Sequence, residues 1–456
     1  FHRIVLYNMI LLVFNWTLFG ADLGQFILAF SILIVVHEFG HYITAKWFGC
    51  RVEKFYLFFN PWFSLWKKKI GETEYGLGWV PLGGYVKISG MIDESMDKEA
   101  MKQPPQPWEF RSKPAWQRLI IMLAGVILNV LLAFAIFAMM LHKWVEEKLP
   151  VQNVKYGFAF DSLAKAAGFK DGDYIKSVNG QSLTYTSDIV KAIFFNEDKS
   201  FAITRNGKDT SIQLPSGFLS NLSKGKSRQL ITPRFPVIID SDADVKYVSG
   251  KMQKGDTVIG VNGNYFKYYD EYIKAKEKLK NQQITLNLLR GRDTVGVKVK
   301  TDENTATKFI PKMPEDILGI QKIEYGFWES FPAGVKYTGE KLKEYVDGIK
   351  LLFTSKEHKV NDNLGSLISI GKTFGGVWDW QRFWMMTGWF SIILAFMNVL
   401  PIPALDGGHA LFTLIEMVTG RKPSDKFMEY AQMVGMVLLL GLMAYALGLD
   451  IFRLFR

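Results

Sequence analysis

The hydrophobic positions of this 456-residue chain are gathered into four long stretches rather than spread evenly. Each stretch holds roughly 20 or more mostly apolar residues, about the length that a helix needs to cross the hydrocarbon core of a bilayer. The stretches cover residues 23–47, 116–142, 383–404 and 429–449. The chain between the second and third stretches is polar and long enough for two ordinary domains. The pattern predicts a polytopic α-helical membrane protein with about four transmembrane helices and one large insert.

The residues before the first predicted span, 1–22, are interpreted as an irregular N-terminal lead-in. Their apolar run at residues 4–19 is short for a span. It also lacks the cleavage site that a signal peptide requires. Met9 is the favoured natural start of the chain.

The net charge of +11 is explained by where the basic residues lie. In a soluble protein such a charge would suggest nucleic acid as a partner. Here each of the two short loops between predicted spans carries basic residues, and the positive-inside rule puts both loops in the cytoplasm. The many lysines of the insert do not contradict this, because long translocated domains largely escape the rule. The insert is therefore expected on the opposite side, and no nucleic-acid partner is expected. The loop residues are Lys67, Lys68, Lys69, Lys87, Arg111, Lys113 and Arg118, then Arg421, Lys422 and Lys426.

A candidate metal site lies inside the first apolar stretch, at His37-Glu38-Phe39-Gly40-His41. Histidines at i and i+4 lie on one helix face, so both imidazoles can reach one ion. Glu38 can take a proton from a water that zinc acidifies. The short H-E-x-x-H pattern also arises by chance, but ionisable residues in a membrane span are costly and are functional by default. The pattern therefore predicts a zinc site.

The third protein ligand is predicted near the end of the 383–404 stretch. Asp406 is one candidate, and its alternative role is to cap the next helix. His409 is a second candidate for the ligand. Prolines 401 and 403 break the preceding helix, and Gly407 and Gly408 allow the backbone to come close to a metal or a substrate.

Residues 72–90 read as short extended pieces broken by Gly and Pro, which predicts a membrane-associated β-hairpin dipping toward the site. A transmembrane helix pairs all of its own backbone groups and so hides its peptide bonds. An exposed strand edge here could pair with an unwound substrate by β-augmentation. The alternative is a hairpin that only seals the cavity.

The polar insert contains an internal repeat. Gly172–Gly180 recurs as Gly255–Gly263, and each copy reads as a strand that ends in an Asn-Gly turn. The pattern resembles tandem PDZ domains, predicted here as two α+β domains between the second and third spans. Such domains bind peptide ends, or they exclude bulky substrates by size. The only cysteine is Cys50, so no disulfide within the chain supports these domains.

Taken together, the motifs resemble the site-2 protease family of intramembrane metalloproteases, in its bacterial RseP-type branch. That family pairs H-E-x-x-H on its first span with L-D-G on a later one, here Leu405–Gly407. The similarity extends to Pro81–Lys87 and to Ala124–Asn129, where Val126 stands in place of the family's usual proline. The resemblance runs from about residue 23 to the C-terminus.

The resemblance implies roles for individual residues. His37, His41 and Asp406 would hold Zn²⁺, and Glu38 would be the general base and then the acid. Asn398 matches the asparagine that helps to hold the substrate backbone. Three residues of the predicted hairpin edge would bind substrate as well: Gly84, Tyr85 and Val86.

The resemblance further implies a zinc endopeptidase of the bacterial inner membrane, with its active site toward the cytoplasm and its PDZ-like domains in the periplasm. It would cut single-span proteins such as pre-trimmed anti-sigma factors and remnant signal peptides. The alternatives are a catalytically silent PDZ scaffold or chaperone-like binding protein, and a membrane-anchored protease for soluble peptides. The expected division is a lead-in, a first membrane half, two PDZ-like domains, amphipathic linker helices and a second membrane half, at 1–22, 23–142, 150–230, 231–310, 311–382 and 383–456.

Overall fold

The computed structural model describes residues 16–91, 104–195, 199–218, 221, 230–242, 245–304, 307–354 and 367–454. The chain divides into two compact units. The first unit comprises residues 1–144, 324–349 and 363–456, and the second comprises residues 145–323 and 350–362. Most of the predicted lead-in and part of the loop that follows the predicted hairpin, at 92–103, lie outside the described residues.

The described elements are numbered in chain order. The helices are α1 (Trp16–Trp47), α2 (Ala115–Lys143), α3 (Ser162–Ala166), α4 (Thr186–Phe195), α5 (Tyr269–Lys276), α6 (Pro314–Leu318), α7 (Phe327–Thr354), α8 (Leu367–Lys372), α9 (Trp380–Val399), α10 (Asp406–Thr419) and α11 (Asp425–Leu454). The strands are β1 (Val52–Phe59), β2 (Trp66–Ile70), β3 (Thr73–Leu77), β4 (Val80–Ile88), β5 (Glu146–Lys148), β6 (Phe158–Phe160), β7 (Tyr174–Val178), β8 (Gln181–Ser182), β9 (Ser200–Arg205), β10 (Lys208–Gln213), β11 (Ile231–Pro233), β12 (Val237–Ser241), β13 (Tyr247–Ser249), β14 (Thr257–Val261), β15 (Asn264–Tyr265), β16 (Gln283–Arg290), β17 (Asp293–Lys300), β18 (Ile310–Pro311) and β19 (Gln321–Ile323).

Three of the described helices are long and apolar enough to cross a membrane: Gly20–Trp47 within α1, Ala115–Lys143 and Lys426–Phe452 within α11. The predicted span at 383–404 forms α9, which ends at Val399 because the prolines at 401 and 403 cannot continue a helix. Since α9 is not one of the three, a count of four spans stays a prediction.

The first helix is longer than the sequence analysis predicts. It begins at Trp16, so the expectation of an irregular chain up to residue 22 is wrong for residues 16–22. These residues contain no proline, and the apolar character of the span continues into them. A helix entering a span has no reason to stop there.

Helix α2 lies at the centre of the first unit and packs against α1, α9 and α10. Close packing is possible because small residues face it. A Cβ atom on Gly40 of α1 would lie 2.5 Å from the Ala124 carbonyl oxygen, and one on Gly388 of α9 would lie 2.9 Å from the Phe137 ring. Small residues at helix contacts let backbones approach in membranes, where burial of apolar surface gives little driving force.

Between α1 and α2 the chain forms a four-stranded sheet in the order β2-β3-β1-β4. Strands β2 and β3 form a hairpin, whereas β3 and β4 each pair with β1, in parallel and antiparallel directions. The predicted single hairpin over residues 72–90 is therefore wrong in its pairing. The link between β3 and β4 crosses the end of β1: Gly78 N–H donates to the Leu57 carbonyl and Trp79 N–H to that of Phe59. Strand β4 is left at one edge of this sheet.

The second unit contains two hydrophobic cores. The first core is covered by the sheet β10-β9-β7-β8, and the second by a larger sheet built around β17, β16, β14 and β12. The predicted repeat is confirmed as structure. Strands β7 and β14 occupy equivalent positions, and each ends in an Asn-Gly turn with both residues at positive φ. The assignment of these two modules to the PDZ class stays a prediction.

The two modules carry the same ion pair, between an Asp just before the repeated strand and an Arg on a neighbouring strand. Arg205 donates two hydrogen bonds to the buried carboxylate of Asp173, and Arg290 does the same to Asp256. The bidentate bond from Arg290 holds the pKa of the Asp256 carboxyl below its usual range. The shared pair indicates that the modules are repeats in three dimensions as well as in sequence.

Candidate active site

Helix α1 carries two imidazoles and a carboxylate within little more than one helical turn. His37 and His41 are one helical turn apart, and their Nε2 atoms are 3.3 Å from each other. Both residues are buried, with 8% and 7% of their surface exposed. Glu38 follows His37 and lines the cavity in front of the histidines. The two imidazoles therefore lie close enough to reach one ion, as the H-E-x-x-H spacing predicts.

Asp406 reaches the two histidines from the distant C-terminal part of the chain. It is the first residue of α10, where the prolines after α9 let the chain turn back. Its Oδ2 atom lies 3.1 Å from His37 Nε2 and 3.3 Å from His41 Nε2. The alternative role as a helix cap does not describe it, because Leu405 occupies the N-cap position.

The three side chains fit a metal ion. Their ligand atoms form a triangle with edges of 3.1, 3.3 and 3.3 Å. Ligands at zinc distances of about 2.0–2.1 Å in tetrahedral geometry are separated by about 3.3 Å. Asp406 Oδ2 is also buried and lacks a hydrogen-bond partner among the described residues, which is costly unless a cation neutralises it. In the described part of the chain, His37, His41 and Asp406 are the one set of three or more His, Cys, Asp or Glu side chains placed closely enough to hold a metal ion.

The ring of His41 is oriented by the neighbouring helix. Its Nδ1–H donates to the Ile121 carbonyl on α2, at 2.8 Å, which leaves Nε2 as the ring nitrogen that can bind a metal held beside Asp406. Close approach of α2 depends on Gly125, where a Cβ atom would lie 2.4 Å from His41 Nε2 and 2.8 Å from His37 Cε1. A side chain at this position would displace both imidazoles.

A cavity of about 760 Å³ opens beside the three side chains. Asn398, in the last turn of α9, lines it and places its amide nitrogen 3.4 Å from His37 Nε2. His409 also lines it but is outside the group whose ligand atoms converge. Sequence reasoning missed Gln432 of α11, a buried amide on the same cavity. The signal was available, because a lone amide in an apolar stretch is unusual.

Residues 83–86 of the edge strand β4 line the same cavity. Their side chains have structural contacts: the Tyr85 hydroxyl donates to Asn60 Oδ1, and Val86 is buried in an apolar cluster. A Cβ atom on Gly84 would lie 2.6 Å from the Ile34 methyl group of α1 and 3.5 Å from Glu38 Cγ. The strand therefore runs directly against the helix that carries the histidines, and the side chains of Tyr85 and Val86 are engaged in contacts within the fold.

Comparison with known proteins identifies the family. The model of peptidase family M50 matches residues 25–442. The chain belongs to peptidase family M50, the site-2 proteases. Among curated relatives, this M50 peptidase is 30% identical to the regulator of sigma-E protease RseP of Escherichia coli K12, over 95% of this chain and 99% of the relative. It is 29% identical to the protease RseP of Yersinia pestis, over 95% and 99%, and 29% identical to a Vibrio cholerae protein described as a zinc metalloprotease, over 94% and 98%.

This M50 peptidase is a zinc metalloprotease of a membrane, which confirms the enzyme class and the zinc cofactor predicted from the sequence. The donor set of two imidazoles and one carboxylate is one that catalytic zinc uses, with a fourth position left for water or substrate.

Proposed function

We propose that this M50 peptidase hydrolyses peptide bonds within the transmembrane segments of single-span proteins. The observation that carries the proposal is the convergence of Asp406 on His37 and His41, which lie within a helix apolar enough to cross a membrane. Burial at that depth makes a bilayer-embedded peptide the fitting substrate, since a soluble peptide would have to leave water to reach it.

In this proposal, His37, His41 and Asp406 would hold the zinc, which would act as a Lewis acid toward the scissile carbonyl and would lower the pKa of a bound water. Glu38 accepts the proton of the attacking water and then delivers it to the leaving amide nitrogen. The position of Glu38 beside His37, on the wall of the cavity, supports both steps.

Two further parts of the cavity would hold the substrate backbone. An unwound transmembrane segment loses its internal hydrogen bonds and needs replacements. The Asn398 amide can both donate and accept hydrogen bonds, and the edge of β4 offers main-chain groups for β-augmentation.

The proposal extends to the membrane in which the enzyme lies and to the class of its substrates. The basic short loops support an inner-membrane topology with the active site toward the cytoplasm and the insert in the periplasm. The name of the E. coli relative, regulator of sigma-E protease, supports substrates of the anti-sigma class. Remnant signal peptides have the same single-span chemistry.

The deciding experiment uses the full chain purified in lipid nanodiscs. We expect about one zinc per chain and cleavage of a single-span model substrate. A zinc chelator should stop the cleavage, and added Zn²⁺ should restore it. Mass spectrometry of the products should place the cut within the apolar segment. Cuts confined to the soluble flanks would instead support a membrane-anchored protease for soluble peptides, and a chain without zinc or cleavage would support a scaffold.

The strand edge gives a separate prediction. Successive residues of a strand direct their N–H groups to opposite sides, so one of Tyr85 and Val86 donates toward β1 and the other outward. Proline at the outward position removes one donor for the substrate. We expect that variant to slow cleavage roughly 2- to 10-fold, the size expected for one hydrogen bond. The measurement is the initial rate on a helical substrate and on one weakened by helix-breaking residues.

The matched control is Lys67→Pro, on β2 at the opposite edge of the same sheet, because the position of Lys67 in the β2–β3 hairpin directs its N–H away from β3. It removes an edge strand's donor away from the cavity and should leave both rates unchanged. Normal rates for Tyr85→Pro and Val86→Pro alike would mean that the sheet only seals the site.

A further inference from the structure

Asn129 of α2 is fully buried in the membrane-spanning bundle and faces the candidate metal site. One atom of its amide group lies 3.3 Å from Nδ1 of His37. The other, assigned as the oxygen Oδ1, is buried and has no hydrogen-bond partner among the described residues. A buried amide oxygen left without a donor is costly, so the arrangement needs an explanation.

The tautomer of His37, that is, which ring nitrogen carries the proton, supplies the explanation. Its Nε2 points at the Asp406 carboxylate oxygen and at His41 Nε2, so Nε2 must present a lone pair to hold a metal. The ring proton of a neutral imidazole then sits on Nδ1, which becomes a donor and needs an acceptor. An amide nitrogen cannot accept that proton.

The two ends of an asparagine amide are nearly indistinguishable by shape and are assigned from their hydrogen bonds. Turning the Asn129 amide over puts its oxygen 3.3 Å from His37 Nδ1, where it can accept the ring proton. The same exchange gives the amide oxygen the hydrogen-bond donor that it otherwise lacks. His41 already has the matching arrangement, because its Nδ1–H donates to the Ile121 carbonyl on the same helix.

We propose that Asn129 is a positioning residue for zinc: its amide oxygen accepts a hydrogen bond from His37 Nδ1–H and holds Nε2 toward the metal. The proposal rests on the assignment of His37 as a ligand made above. The backbone around Asn129 is itself fixed, since the Ser391 hydroxyl of α9 donates to its carbonyl at 2.7 Å. Helix α2 thus orients one histidine with a main-chain carbonyl and the other with a side chain.

The test measures zinc affinity by competition with a chromogenic chelator, in the full chain in nanodiscs. Asn129→Leu keeps the approximate volume but removes the acceptor, and we expect zinc to bind about 10- to 100-fold more weakly. Asn129→Asp restores an acceptor and should bring the affinity back to within about threefold of wild type. The visible spectrum of the Co²⁺-loaded protein should change for the leucine variant and not for the aspartate variant.

Thr387→Val is the matched control. Thr387 is also fully buried, but its hydroxyl donates only within α9, to the Phe383 carbonyl, so its loss should leave zinc affinity unchanged. If Asn129 merely packs between helices, the leucine variant will bind zinc like wild type and the aspartate variant, with a new buried charge, will be the damaged one. That result overturns the proposal. Unchanged zinc affinity in His37→Ala would instead overturn the ligand assignment itself.

Discussion

Glu38→Gln is expected to lower the cleavage rate by a factor of about 10² to 10⁴, the contribution typical of a general acid–base group. The amide is similar in size to the carboxylate but cannot take a proton from water. Glu38 is not one of the three converging ligand groups, so the variant should keep its zinc. The measurement pairs zinc content with single-turnover cleavage of a single-span substrate.

Glu53→Gln serves as the control for this variant. Glu53 lies on β1, where its carboxylate pairs with Lys87 and accepts a hydrogen bond from Ser89, and it does not line the cavity. Its loss should leave the rate near that of wild type. A Glu38→Gln protein that cleaves at the wild-type rate would remove Glu38 from the mechanism, and one that has lost zinc would give it a binding role instead.

Asp406→Asn is expected to abolish cleavage and to weaken zinc binding more than about 100-fold. Loss of a residue that only hydrogen-bonds to a zinc ligand costs roughly 10- to 100-fold in zinc affinity, and loss of a ligand's charge should cost more. The substitution preserves shape and removes only the charge, so it separates metal binding from packing at the start of α10. His409→Ala is the comparison, because His409 lies one turn further along α10 and lines the same cavity. It should keep zinc near one per chain.

Zinc analysis of both variants by mass spectrometry decides the assignment. Loss of zinc from the His409 variant with retention in the Asp406 variant would transfer the ligand to His409. Thermal unfolding measured with and without zinc adds a check, because removal of a ligand should diminish the stabilisation by added metal.

The chemistry of the site could be predicted from sequence because its parts are local. His37, Glu38 and His41 lie within five residues on one helix, and the periodicity of that helix fixes their common face. The Asn-Gly turns of the insert are local in the same sense. For the third ligand, the sequence left two candidates, Asp406 and His409, and their spacing did not decide between them. The distances from Asp406 to the histidines now favour Asp406.

What could not be predicted depends on pairing between distant segments. In the sheet order β2-β3-β1-β4, strand β1 lies between β3 and β4. The residues of β3 and β4 alone do not show that an earlier strand separates them. The contact of Asn129 with His37 and the place of Gln432 on the cavity depend on the rotation of α2 and α11 against α1. Helix rotation is set by packing, as with the close approach at Gly125, and a hydropathy pattern does not give it.

The site is assembled from the two ends of the chain: Asn398 and His37, which face each other across it, are 361 residues apart in sequence. With Asp406 as the third ligand, a ribosome that has made both histidines and Glu38 has not yet made a protease. Everything between, including both modules of the insert, is synthesised before the carboxylate emerges. With that ligand missing, the nascent chain cannot complete the metal site, and cleavage can begin only after the C-terminal helices have joined the first.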